Sequence, residues 1–79
     1  MADVTVRYWA GARAAAGVDE EKLQADSVNQ LVNALSQRSS QLAGVLALSS
    51  LLVDGLVVRT DAPLVDGQTL EVLPPFAGG

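Results

Sequence analysis

The sequence has no cysteine and no histidine. Without cysteine there can be no disulfide, thiolate nucleophile, iron–sulfur cluster or Cys/His zinc site. Without histidine the usual general base at neutral pH is missing, so a cofactor-free Ser-His-Asp or Cys-His enzyme is excluded. Basic residues are also scarce, with five Lys and Arg against nine Asp and Glu, for a net charge of −4. Those five (Arg7, Arg13, Lys22, Arg38 and Arg59) are scattered. Nucleic-acid phosphates demand clustered cations, so no nucleic-acid partner is expected. Long apolar runs are lacking too. Asp3, Arg7 and Arg13 interrupt the N-terminal segment, and no stretch approaches the ~20 apolar residues that cross a bilayer. The expectation is a cytoplasmic protein with no leader and no membrane contact. Asp19-Glu20-Glu21 is a short acidic run with no second carboxylate cluster at ligand spacing, so a solvated edge is expected there rather than a metal site.

What remains is a small globular composition. The apolar share of 49% is high enough to fold. A chain of 79 residues makes one domain, burying about 60% of the surface that its unfolded form exposes. Val4, Val6 and Tyr8 alternate with Thr5, Arg7 and Trp9, which predicts a strand with two distinct faces. Trp9 and Tyr8 therefore point oppositely, one into the core and the other to a boundary. Ala10 to Ala16 is Ala-rich, opens near Gly11 and closes on Gly17, which predicts a short helical turn. A phosphate loop would end in Gly-Lys-Ser/Thr, and this segment does not. Glu20 to Ala25 has one large apolar residue, Leu23, and reads as an edge strand.

Ser27 and Gln30 have the spacing of a capping box. Val28, Leu31, Val32 and Leu35 follow at i, i+3, i+4 and i+7, which predicts a helix over residues 28–38. A further helical turn is expected within residues 42–48. Residues 51–59 read as strand, broken by the turn dipeptide Asp54-Gly55. Asp61 and Asp66 are read as turn residues. The last strand spans residues 69–73, with Leu70 and Val72 on one face and Glu71 on the other. The fold class is α+β: a roll in which one main helix packs across a mixed sheet.

The C-terminus breaks the pattern. After the last strand the chain reads Pro74-Pro75-Phe76-Ala77-Gly78-Gly79. The prolines end sheet pairing, because they carry no N–H to donate. Gly-Gly arises by chance about once in two hundred pairs at background glycine frequency. A functional reading accounts for each position. A carboxylate that must react needs access from all sides, and glycine has no Cβ to hinder attack at its carbonyl. A thin Ala-Gly-Gly end can thread a narrow channel, and Phe76 could anchor its base in an apolar pocket of a partner. In a chain with so few reactive side chains, the chemistry would be done to the tail.

A small domain ending Pro-Pro-x-x-Gly-Gly resembles the ubiquitin-like sulfur carriers of the MoaD and ThiS type, and the MoaD pattern most. Val6-Arg7-Tyr8-Trp9-Ala10, continuing through Arg13 to Gly17, resembles the family's first strand and its aromatic-Ala-x-x-Arg turn. Leu52-Val53-Asp54-Gly55 and Pro63-Leu64 through Asp66-Gly67 to Leu70-Glu71-Val72 also match. Gln68-Thr69 departs from the more usual acidic pair. The resemblance implies a β-grasp domain over residues 1–73 and a flexible tail over residues 74–79. It also implies a carrier, not an enzyme in its own right, that serves as the small subunit of molybdopterin synthase, a sulfurtransferase. Gly79 would be adenylated and thiocarboxylated, with Gly78 as its unhindered neighbour. Pro75, Phe76, Ala77 and Arg13 would contact partners.

The implied partners are an E1-like adenylyltransferase that uses ATP, a sulfur donor, and a MoaE-like large subunit in a heterotetramer. No bound cofactor or metal is implied. Three alternatives stay open on the sequence. The same chemistry could serve thiazole, cysteine or tRNA thiolation. The chain could instead be a protein modifier, or a plain binding module.

Overall fold

The structure, a computed structural model, describes residues 1–59 and 61–75. Its elements follow the order β1 (Ala2–Tyr8), α1 (Gly11–Ala16), β2 (Glu20–Ala25), α2 (Val28–Ser36), α3 (Ser40–Leu48), β3 (Ser50–Val53), β4 (Leu56–Val57) and β5 (Thr69–Leu73). The five strands form one sheet in the order β2-β1-β5-β3-β4. The central pair, β1 and β5, is parallel, and every other pair is antiparallel. This is the mixed sheet of a ubiquitin-like β-grasp fold.

Strand alternation decides which side is covered. Val4, Val6 and Tyr8 of β1, Leu70 and Val72 of β5, and Leu51 and Val53 of β3 are buried. Val28, Leu31 and Leu35 of α2 and Leu42 and Leu46 of α3 meet them. Each fully buried Leu or Val contributes roughly 1.5–3 kcal/mol through removal of apolar surface from water. β2 is the edge strand expected of its composition, with Leu23 only half-buried. Among the described residues no helix is long and apolar enough to cross a membrane.

The helix content corrects the expectation of a single main helix. Residues 40–48 form a full helix of nine residues, as long as α2. Ser39 caps it, its Oγ accepting from the Leu42 N–H at 3.1 Å. α2 stops at Ser36, two residues short of the expected end, and Gln37 and Arg38 form a turn. Its cap is also offset from a strict capping box. Ser27 Oγ accepts from the Gln30 N–H, but the Gln30 side chain accepts from the Asp26 N–H, one residue earlier than the reciprocal bond requires.

Turn chemistry fits its residues. Asp54 and Gly55 take φ of 50° and 84°, the paired positive values of a type I′ hairpin turn. The Asp54 carboxylate also accepts from the Thr69 N–H at 3.2 Å, which ties the turn to the start of β5. Asp66 does similar work, its Oδ1 accepting from the Asp3 N–H at 2.7 Å.

Candidate functional site

β5 lies at the centre of the sheet between β1 and β3, and its far end delivers the chain to Pro74 and Pro75. Pairing there stops where the prolines begin, the last bond on this side running from the Trp9 N–H to the Val72 carbonyl at 3.2 Å. Pro74 is half-buried and Pro75 exposed. Phe76, Ala77, Gly78 and Gly79 lie outside the described residues, so the reading of a flexible reactive tail is carried by the sequence.

The root of the tail is a built surface. Pro74 and Pro75 line an apolar hollow of about 300 Å³ together with Ala10, Gly11, Val45 and Leu48. Leu48, at the end of α3, leaves 71% of its surface exposed. Ala10 caps the start of α1 with φ 47°, a value that L-residues other than Asn and Asp seldom take. None of the six lining residues offers a nucleophile, an acid or a base. Sequence reading missed this hollow, because its walls come from three distant segments and α3 was not recognised as a whole helix.

Two polar clusters flank the exit from the sheet. On the outer face the Trp9 Nε1–H donates to Glu71 Oε2 at 3.1 Å, and the Arg7 guanidinium stands 4.8 Å from the ring centroid. Trp9 is therefore held at a boundary, as expected, and Tyr8 takes the core position. Arg13 is exposed on α1, 3.4 Å from Asp19, an exposed pairing that contributes little to stability.

The second cluster corrects the reading of the acidic run as wholly solvated. Glu21 Oε2 accepts from the Tyr8 hydroxyl at 2.6 Å and from Arg38 Nη1 at 2.7 Å, and its side chain is 20% exposed. Burial, then the hydrogen bond to Glu21 and the nearby carboxylate charge, push the Tyr8 phenol well above its ordinary value of 10. The unfolded phenol ionises first, so this stability is present in full below pH 10 and is lost as pH rises beyond it. Tyr8 is the only tyrosine, which makes the test direct. In alkaline titration, phenolate absorbance is expected to appear together with unfolding, not near pH 10 in the folded protein. A folded-state phenol that ionises at the ordinary value would break the assignment.

Among the described residues no group of three or more acidic side chains is placed to hold a metal ion. The described part of the site is the end of β5, two prolines and an apolar shelf.

Solved structures of molybdopterin converting factor subunits and of an archaeal modifier protein share this fold. The chain superimposes on a Pyrococcus furiosus protein assigned as molybdopterin converting factor subunit 1, with a TM-score of 0.85 and 29% identity over 95% of this chain and 99% of that one. Small archaeal modifier protein 1 from Methanosarcina acetivorans matches with a TM-score of 0.86 and 26% identity over 100% and 98% of the two chains. A chain in the complex of subunits 1 and 2 of molybdopterin-converting factor from Helicobacter pylori shares the fold, with a TM-score of 0.76 and 23% identity over 98% and 99%. No curated protein matches the sequence. The ThiS family profile matches residues 6–79, nearly the whole sequence and all of its tail. With a ubiquitin-like sulfur-carrier fold and a match of that extent, the chain belongs to the ThiS family.

Proposed function

We propose that the chain carries sulfur on the carboxylate of Gly79 and supplies it for the dithiolene of molybdopterin. The observation that carries this reading is the family match, which extends to Gly78 and Gly79. The chemistry follows from the tail. A carboxylate oxygen attacks the α-phosphate of ATP, and pyrophosphate leaves. A donor that supplies sulfur at the sulfide level then attacks the carbonyl and AMP leaves, so one oxygen has been exchanged for sulfur. The product thiocarboxylate is a better nucleophile than a carboxylate. Glycine at both terminal positions keeps the carbonyl open to each attack.

The division of labour suits the rest of the molecule. The shelf around Pro74 and Pro75 has no group to attack or hydrolyse an acyl-adenylate. Activation and transfer belong to partners: an ATP-dependent adenylyltransferase, a sulfur donor, and a large synthase subunit of the MoaE type. The Helicobacter pylori structure, a complex of subunits 1 and 2, supports a large-subunit partner of that kind. Arg13, Pro75, Phe76 and Ala77 are the proposed partner contacts.

Incubation with ATP, the cognate activating enzyme and a sulfur source is expected to raise the intact mass by the difference between one sulfur and one oxygen. Fragmentation should place the gain at Gly79. No gain with an activating enzyme shown to form adenylate would overturn the carrier reading. A second reading, a modifier joined to lysines of other proteins, is supported by the likeness to the Methanosarcina acetivorans modifier protein. The same incubation with cell extract separates them. A modifier gives higher-mass conjugates that resist thiols, and a pure carrier gives only the thiocarboxylate.

A further inference from the structure

We propose that Asp54, at the tip of the β3–β4 hairpin, is a site of spontaneous isomerisation to isoaspartate in the folded chain, and that the bonds of its loop protect Asp66 from the same reaction. The sequence places glycine directly after aspartate twice, at Asp54-Gly55 and Asp66-Gly67. Aspartate before glycine is chemically labile. The glycine amide nitrogen attacks Cγ of the protonated carboxyl group, a C–N bond forms, and the hydroxyl leaves with the amide proton as water. Water then adds to the main-chain carbonyl of the five-membered imide and opens it there, so that the peptide link runs through Cβ. Glycine favours the attack, because it has no Cβ to crowd the approach and leaves the backbone free to rotate.

Exposure does not separate the two sites, since all four residues are exposed. Hydrogen bonds do. At the second site Asp3 holds both reacting groups. Its N–H donates to Asp66 Oδ1 at 2.7 Å, and its carbonyl accepts from the Gly67 N–H at 2.9 Å. Gln68 closes the same loop, its N–H donating to the Val65 carbonyl at 3.3 Å and its Oε1 accepting from the Val65 N–H at 2.9 Å. At the first site the carboxylate accepts from the Thr69 N–H at 3.2 Å. The Asp54 N–H donates to the Thr69 carbonyl at 3.0 Å, a bond between groups that do not react. Among the described residues no hydrogen bond engages the Gly55 N–H. Cyclisation at Gly67 must therefore break the bonds of both reacting groups, and cyclisation at Gly55 the bond of one.

The product adds one backbone atom to a two-residue turn in which Val53 opposes Leu56. It also withdraws the carboxylate from Thr69, at the start of the strand that leads to Pro74. An isomerised chain would lose the pairing of β4 and one tether of β5. The inference goes beyond sulfur carriage and does not depend on it.

Asp54→Asn and Asp66→Asn, each in the full chain, test it. An asparagine in either place cyclises by the same attack, with ammonia leaving instead of water, and hydrolysis then leaves a gain in intact mass. Both variants keep the fold, because Asn-Gly is a favoured type I′ pair and an amide oxygen can still accept the bond from Asp3. In the folded protein at neutral pH, Asp54→Asn is expected to deamidate roughly two- to tenfold faster than Asp66→Asn, the factor that one more hydrogen bond supplies. In urea the two rates should converge. In the unsubstituted chain, fragmentation that distinguishes the two aspartyl linkages should find isoaspartate first at position 54. The proposal is overturned if Asp66→Asn reacts as fast or faster in the folded protein, or if neither variant reacts. It is equally overturned if the difference persists in urea, where sequence alone would account for it.

Discussion

Removing Gly78 and Gly79 is expected to abolish sulfur loading completely and leave the melting temperature of the domain unchanged. The two halves of this expectation have separate causes. Stability resides in the sheet and helices, and the last fully buried side chain is Val72 on β5. No residue beyond Leu73 belongs to a strand or helix among those described. Loading depends on where the carboxylate ends and what surrounds it. Truncation draws it back by about 7 Å, two residues of extended chain. It also places an alanine methyl beside the carbonyl that must be attacked. Retained loading would show that sulfur is held elsewhere. A lower melting temperature would show that the glycines pack on the domain. A plain binding module, by contrast, would keep its partner affinity after the truncation.

Leu70→Ala is expected to cost about 2–5 kcal/mol, the range for emptying a fully buried leucine site. Leu70 is 0% exposed and sits at the middle of the sheet, opposite Val6 on β1 and Val53 on β3. Its cross-strand neighbours lie on two strands that both hydrogen-bond to β5, so little collapse into the cavity is possible. Domains of this length have total stabilities of roughly 4–12 kcal/mol at about 0.05–0.15 kcal/mol per residue. The substitution therefore removes a large fraction of the whole. Urea unfolding followed by Trp9 fluorescence would measure it, with an unchanged slope and a much lower midpoint. Leu56→Ala provides the contrast. Leu56 is 72% exposed on β4, and less than about 0.5 kcal/mol is expected there. A Leu70→Ala cost as small as that of Leu56→Ala would mean that the centre of the sheet is not the packed core.

The parts of the fold that were legible were those with a periodic signal. β1 and β5 alternate cleanly, and their faces came out as the sequence predicts. α2 shows its stripe of Val28, Leu31 and Leu35, and its capping serine does bond to Gln30. The sequence predicts only a helical turn where α3 forms, because the segment is apolar nearly all round and carries Gly44 inside it. A helix without a polar face leaves no period to find. Only Ser39, with the same capping geometry as Ser27, marked its start. The site was legible where it is linear, in Pro74-Pro75 and the residues after them. The hollow and the Tyr8–Glu21–Arg38 cluster depend on strand register and on α3, which no local pattern encodes. Glu21 looked solvated because its exposed neighbours, Asp19 and Glu20, hid an inward position that pairing with Val6 decides.

The parallel pairing of β1 with β5 bears on how the protein is made. The middle of the sheet joins the first strand of the sequence to its last, so the most buried contacts are also the most distant ones. Such long-range pairing slows folding, because the connecting loop must close before it is rewarded. During synthesis β1 has no permanent neighbour on that side until β5 has emerged from the ribosome. The residues that follow β5 are therefore presented in their proper place only by a molecule whose sheet has already closed. An enzyme that recognises the folded surface and the tail together would reject unfinished or misfolded chains with no separate proofreading step.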